Sequence, residues 1–382
     1  METQTLPEGT ALDHRTLNRS LLARQFLLRR ADVSAEHVVG HLVGLQAQEP
    51  QDPYVALWSR IAGFAPDELS GMLADRRAVR MSLLRWTVHL VTAEDCMVLR
   101  PVVQDVLERR LLGQFRRQLA GLDLAEVAEA GRALLTAGPL PASRLGDGLR
   151  ERWPERERLP LSLAVTARVP TVQPPPRGLW RTSGAALQTP AEQWLGRSFD
   201  FAEGAAPDRT VLRYLAAFGP ATAKDVAVWS GLTGVRAVIE RLRPGLRVYR
   251  DENGAELYDV PGAPFPDRGT PAPARFLPQY DNIALSHADR SRIMPPAPRA
   301  GASLPTLPGS GSNRGFFLHD GFVHGLWRIE SSRGAAVLHV LPYAPLPRAA
   351  RDALAAEGER LLAFAAPGTT GRETGREVRF TA

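Results

Sequence analysis

The chain has 382 residues, with 47 Lys and Arg against 41 Asp and Glu and a formal charge of +6, and at roughly 100 to 200 residues per domain this length suggests two to four domains. A hydrophobic share of 44% with 23% charged residues argues against global disorder, collagen and coiled coil, and no stretch approaches the ~20 uninterrupted apolar residues of a membrane helix. Only one cation, Lys224, is a lysine, and the single cysteine, Cys96, excludes an internal disulfide framework and any multi-thiolate metal site.

The start METQTLPEGTALDHR carries neither an apolar core nor a basic leader region, so an intracellular protein is expected. Cys96 reads as a small, half-buried apolar residue on a helix. A pI of about 10.0 is compatible with an anionic partner, because arginine forks match phosphate geometry; coding bias would give the same arginine excess.

Along the chain, Leu17 to Arg29 has the apolar spacing of an amphipathic helix, and Ser34 caps a second helix expected to end near Gly44 or Leu45. Pro50 and Pro53 interrupt helix across QAQEPQDP, after which Tyr54 to Ile61 and Pro66 to Ala74 are helical. Arg80 to Leu83 and Thr87 to Val91 alternate as a β-hairpin, and Thr92 with Asp95 forms a capping box for the next helix. Helices followed by a hairpin is the winged-helix order.

Ala125 to Thr136 and Ser143 to Arg152 are read as helices, with Leu161 to Thr171 and Leu179 to Thr182 as the strands of a second wing around the tip QPPPRG. The pattern is plainest after Pro207: a helix over Thr210 to Phe218, a Thr222–Asp225 capping box, a helix over Thr233 to Leu242, and strands Leu246 to Arg250 and Glu256 to Val260 joined by a turn with Asn253 and Gly254. Such a unit usually places its second helix against nucleic acid, although it also serves as a protein-interaction scaffold. The Pro-rich connector Val260 to Ala274 then leads into Phe276 to Ile293, a loop-rich segment Arg290 to Gly315, a hairpin over Phe316 to Glu330, a strand Ala335 to Pro342 and a helix Arg348 to Phe364. The expected fold is α+β, with winged-helix domains at residues 1–120, 121–206 and 207–262 and an α+β region at 263–382.

Several chemistries lack their signatures: there is no P-loop, no dinucleotide-binding fingerprint, no HExxH and no GxSxG elbow, and the glycines of GSGSNRG read as a loop. Two segments remain. In LQAQEPQDPY, Gln46 and Gln48 would diverge by about 200° on a helix but face the same way in the extended backbone that the prolines favour. Both amides could then address one ligand, or they could cap the preceding helix or meet solvent. In FLPQYDNIALSHADRSRI, the cluster Asp281, Asn282, His287, Asp289 and Arg290 is either a catalytic or metal site or a structural Arg–Asp network, and no second His lies at ligand spacing.

At these residues the chain resembles the AlkZ and YcaQ type of DNA glycosylases, described as winged-helix DNA-binding domain-containing proteins. The resemblance rests on LNRSLLARQFLLRR, VGLQAQEPQDPY, MSLLRWTVHLVTAEDCMVLRP, FLPQYDNIALSHADRSRI and GFVHGLWRIE, in the family's order and over most of the chain. It implies three tandem winged helices around a C-shaped, DNA-sized channel with a β-rich C-terminal part, and a catalytic glutamine–aliphatic–glutamine motif matched by Gln46, Ala47 and Gln48. Because the YcaQ branch has aspartate at the second glutamine, the chain is more similar to the AlkZ branch. AlkZ-like enzymes excise bulky N-alkylpurines, unhook interstrand crosslinks and often protect the producer of a genotoxic natural product.

The residue chemistry agrees with that implication. A glutamine makes no strong nucleophile from water, but an N7-alkylated purine is already cationic and leaves readily, so a placed water and amide dipoles around an oxocarbenium-like centre suffice. With Lys224 the one side-chain amine for a Schiff base, and far in sequence from the glutamines, base release without backbone cleavage is expected. Phosphate-contact candidates are Arg80, Arg85, Arg177, Arg181, Arg236, Arg241 and Arg243, each of which could instead be plain solvated surface. Trp86, Trp180 and Trp327 read as packing residues. No cofactor, metal or membrane is expected, and the partner is double-stranded DNA bearing alkylpurine adducts or crosslinks, met by a monomer in the cytoplasm near the nucleoid. The alternatives are a non-catalytic winged-helix DNA-binding protein, either regulator or lesion-binding, and a hydrolase using Glu49 or Asp52 as its base.

Overall fold

The computed structural model describes residues 3–4, 6–201, 207–294, 313–332, 335–366 and 375–381. After two short strands, β1 (Thr3–Gln4) and β2 (Ala11–Leu12), Asp13 caps the N–H of Thr16 and opens α1 (His14–Arg24), which stops short of the expected Arg29 because Phe26 turns to a φ of 57°. Ser34 caps α2 (Ala35–His41) through the N–H of His37; Val43 and Gly44, at φ 55° and 95°, end it before Leu45. Only glycine fits at Gly44, where a Cβ would meet Val91 Cγ1 at 2.6 Å.

Next come β3 (Leu45–Gln46), α3 (Asp52–Arg60), α4 (Pro66–Ala74) and the hairpin β4 (Ala78–Ser82) to β5 (Val88–Thr92). Thr92 accepts from the N–H of Asp95 at the start of α5 (Ala93–Val102), but the expected capping box is only half made. The Asp95 carboxylate is taken instead by Arg213, from a helix more than a hundred residues away. α6 (Gln104–Phe115) follows.

The middle of the chain corrects two expectations. After α7 (Leu124–Ala137), β6 (Leu140–Pro141) and α8 (Ala142–Arg150), the supposed strand from Leu161 lies within α9 (Arg158–Arg168). Leu161, Leu163, Val165 and Ala167 alternate, yet Leu161, Ala164, Val165 and Ala167 also make one helical face, and that face is the buried one. The strands of this part are β7 (Thr171–Val172) and β8 (Leu187–Pro190), while Leu179 to Thr182 lies in the intervening loop; α10 (Ala191–Leu195) closes the segment.

The third segment is α11 (Asp208–Phe218), α12 (Ala223–Ser230), α13 (Val235–Leu242), β9 (Arg247–Asp251) and β10 (Glu256–Asp259), with both halves of the Thr222–Asp225 capping box present. The last comprises β11 (Phe265–Pro266), β12 (Arg275–Pro278), α14 (Asn282–Leu285), β13 (Arg314–His319), β14 (Phe322–Ser332), β15 (Ala335–Pro342), α15 (Arg348–Ala365) and β16 (Arg376–Phe380). Asp320 and Gly321, both at positive φ, make the two-residue turn between β13 and β14. Of the segment expected to be loop-rich, residues 295–312 lie outside the described residues.

Among the described residues the fold is a mixed α+β arrangement with four sheets. The first hairpin and the second wing share one six-stranded sheet, ordered β3-β5-β4-β7-β8-β6, through the pairing of Met81 with Val172. A five-stranded sheet, β12-β13-β14-β15-β16, is antiparallel except for β15 with β16. β2 runs parallel to β9 at the edge of the third hairpin, and β1 pairs with β11. A large apolar core spans most of these parts, a smaller cluster of Leu12, Leu17, Tyr249, Leu257 and Phe265 packs β2, β9, β10 and β11 against α1, and buried forks fasten the whole: Arg24 to Asp259 at 2.7 Å and Arg60 to Asp281 at 2.8 Å.

Candidate active site

Gln46 ends the short strand β3, pinned at both sides, and Gln48 follows two residues on at a bend in the chain. Leu45 and Gln46 pair with Leu90 and His89 of β5, the Ala47 N–H donates to the Val88 carbonyl at 2.7 Å, and the Ala47 carbonyl accepts from Arg80 Nη2 at 2.9 Å. Upstream, Asn282 Nδ2 donates to the Gly44 carbonyl at 2.7 Å and fixes the turn into β3. Both glutamines reach the same hairpin end, at Arg85 and at Val88. Neither caps α2: Gln46 Oε1 accepts from Arg85 Nη2 at 2.7 Å, and Gln48 Oε1 accepts from the Val88 N–H at 3.3 Å. Gln46 is buried and Gln48 exposed.

The hairpin end is strained. Arg85 and Trp86 take φ of 56° and 63°, a conformation costing about 1–2 kcal/mol for a non-glycine residue. This bend brings Arg85 inward, where its Nη1 donates to the carbonyl of Trp229 near the end of α12. Burial, then Arg110 on α6, lower the Arg85 guanidinium to about 10, leaving it charged at neutral pH. His89 is buried with Nδ1 on the Thr87 carbonyl; burial, then Arg85, push it down to about 3, so it is neutral. The side chains around Gln46 thus offer a fixed cation and a neutral imidazole.

The arginine candidates separate. Arg80 is 1% exposed, with Nε and Nη1 unpartnered, and burial followed by Arg177 lowers it to about 10, so it faces the protein interior and not a surface phosphate. Arg85 is committed to Gln46 and Trp229, and Arg177 Nη1 to the Gly184 carbonyl within its own loop. Arg241 pairs with Asp208 at 2.6 Å, and Arg243 with Glu256 at 3.0 Å. Arg181 and Arg236 are exposed, their guanidinium groups without a carboxylate among the described residues. Sequence reasoning missed Arg110, exposed on α6 beside Arg85; the ERR run at 108–110 was its available signal.

The polar cluster disperses. Asp281 belongs to Arg60, His287 is buried between the Phe218 carbonyl and Ser286 at 3.0 Å each, and exposed Asp289 accepts from the Ser291 N–H at 2.9 Å. Arg290 is half-buried, its carbonyl accepting from Ile293. Among the described residues only Asp281 of the cluster is paired with an arginine, and no group of three or more His, Cys, Asp or Glu could hold a metal ion.

Asp52 is buried with Oδ2 unpartnered; burial, then Glu49 and Asp281, push its carboxyl well above the usual range, and it accepts from the Tyr280 N–H. Its neighbour Gln51 holds the second wing's loop through the Leu179 carbonyl and the Arg181 N–H. Lys224 is exposed in the first turn of α12, and Arg85 meets that helix five residues later at Trp229, about 7.5 Å further along its axis. Cys96 is fully buried, its thiol pushed up to about 12, against the half-buried expectation. Trp180 packs between Tyr54 and Phe364, and Trp327 is buried in the core.

The profile of the AlkZ-like DNA glycosylase family matches residues 39–364. A Streptomyces sahachiroi DNA glycosylase AlkZ structure superposes at a TM-score of 0.72 with 18% identity, covering 97% of this chain and 100% of that one. No curated protein sequence matches the chain.

Proposed function

Because the chain belongs to the AlkZ-like family of DNA glycosylases, we propose that it is a monofunctional enzyme hydrolysing the N-glycosidic bond of bulky N7-alkylguanine and N3-alkyladenine adducts in double-stranded DNA. The observation that carries this reading is the pair of glutamine amides at one hairpin end, bonded to a guanidinium and a backbone N–H and, among the described residues, to no carboxylate or amine. An amide cannot deprotonate water, so the substrate must be one whose base leaves unaided by a strong nucleophile, as a cationic N-alkylpurine does. Gln48, exposed and held by one long hydrogen bond, suits the placing of water on C1′, with its amide dipole towards the developing oxocarbenium charge; Gln46 faces the sugar or that water.

In this reading residues 1–120, 121–206 and 207–262 are winged-helix units lining a C-shaped channel, with 263–382 supporting them. Arg110, Arg181 and Arg236 are the phosphate contacts it selects. The enzyme works as a monomer in the cytoplasm at the nucleoid, needs no cofactor, unhooks interstrand crosslinks and serves self-resistance to a genotoxic natural product.

The test incubates 7-alkylguanine duplex with wild type and with the Gln46→Ala, Gln48→Ala double variant, then cleaves abasic sites with alkali. Alkali-labile product from wild type alone is the expected result. Equal product from both removes the glutamines from the mechanism, and an adduct shielded from release by both proteins selects a lesion-binding role.

A further inference from the structure

An arginine side chain has donors and no acceptor, so whichever Gln46 amide atom faces Arg85 must be the oxygen, and the amide nitrogen is turned the other way. That fixes which end of a catalytic glutamine meets the substrate. Gln48 has no comparable partner, since its oxygen meets only the Val88 N–H at 3.3 Å.

Arg85 reaches Gln46 because it is held from three directions. Its backbone sits in the left-handed region at the hairpin end, Nη1 is anchored on the Trp229 carbonyl near the C-terminal end of α12, and Nη2 is left to Gln46 Oε1. A cation there is also favoured by the partial negative charge of that helix end. The nearest like charge, Arg110, lies on α6, whose neighbour Arg109 donates to the Gly231 carbonyl just past α12. First hairpin, α6 and α12 therefore converge on the guanidinium that holds Gln46 Oε1.

We propose that Arg85 is a positioning residue: clamped on the Trp229 carbonyl, its guanidinium holds Gln46 Oε1 and so presents Gln46 Nε2 as a hydrogen-bond donor to an oxygen of the substrate DNA. This rests on Gln46 acting in excision. It replaces the reading of Arg85 as a phosphate contact, and it makes the third segment a structural support of the chemistry in the first. Lysine cannot take over the role, because an ammonium on a flexible stem does not span two acceptors as a planar fork does.

The experiment measures single-turnover excision from a 7-methylguanine duplex, and duplex affinity over a salt series, for Arg85→Ala, Arg85→Lys, Gln46→Ala and the Gln46→Ala, Arg85→Ala double variant. Expected is a rate loss of about 10- to 100-fold in both Arg85 variants, with affinity and salt slope unchanged and no further loss when Arg85→Ala is added to Gln46→Ala. Wild-type rate and affinity in Arg85→Lys, or weaker binding with a salt slope smaller by about one at an undiminished saturated rate, overturns the proposal in favour of a phosphate contact. An additional loss in the double variant also overturns it. Wild-type excision by Gln46→Ala shows instead that the underlying role of Gln46 is wrong.

Discussion

His89 lies directly opposite Gln46 in the β3–β5 pairing, so the residue nearest the glutamine across the sheet is an imidazole held neutral by burial. With His89 down at about 3 and Arg85 at about 10, neither group changes charge near neutrality. Single-turnover excision should therefore be flat from about pH 5.5 to about pH 8.5. A bell or a single inflection inside that range would place a titrating acid or base in the reaction.

Asp52 gives a stability effect of defined sign. Its folded carboxyl titrates above the ordinary value of 3.8, so the folded state binds more protons and stability falls as pH rises from there through the folded value. Asp52→Asn should melt higher than wild type at pH 7, by about 1–3 kcal/mol of stability, with the gap narrowing towards about pH 4. Excision should persist; its loss, with retention in Gln48→Ala, would make Asp52 the base.

Asp281→Ala should cost about 3–5 kcal/mol, read as a lower denaturant midpoint, because it strands the buried Arg60 guanidinium without its carboxylate. A change under about 1 kcal/mol would mean that water or Gln25 replaces the pairing.

The arginines on α13 and at its C-cap, Arg243, should behave unequally. Arg236→Ala is expected to weaken duplex binding and reduce the salt slope by about one, whereas Arg241→Ala and Arg243→Ala leave the slope nearly unchanged, their charges being spent on Asp208 and Glu256. Equal slopes for all three would remove α13 from the phosphate track.

Borohydride added during turnover should trap no covalent protein–DNA adduct, and Lys224→Ala should leave the abasic strand as intact as wild type does. A trapped species that disappears in Lys224→Ala would convert the enzyme to a lyase.

Local signals in the sequence were read well and distant partners were not. Ser34, the Thr222–Asp225 box and the helix from Pro66 depend on neighbours within a few residues, and each stands where its side chain dictated. Asp95 looked like a capping residue by the same rule, yet Arg213 outcompetes the Thr92 N–H for its carboxylate. The α9 segment satisfied two periods at once, and only its packing chose between them. At the site, Gln46 lies in extended backbone as the prolines suggest while Gln48 falls at a bend, and the partner of Gln46 arrives from a hairpin end whose positive φ values no glycine announces. The arginine list could not be sorted from sequence, because exposure and carboxylate pairing are properties of tertiary contact.

Arg19, Arg24, Arg60, Arg80, Arg100, Arg275 and Arg292 are all buried in the fold. A lysine at such a depth sheds its proton readily, whereas a guanidinium keeps its charge and shares it among several oxygens. The arginine excess that first suggested codon preference is thus, at these seven positions, a condition of solubility in the protein's own interior. Wholesale Arg-to-Lys recoding, harmless on most surfaces, would here dissolve the framework that carries the glutamines before it touched any contact with DNA.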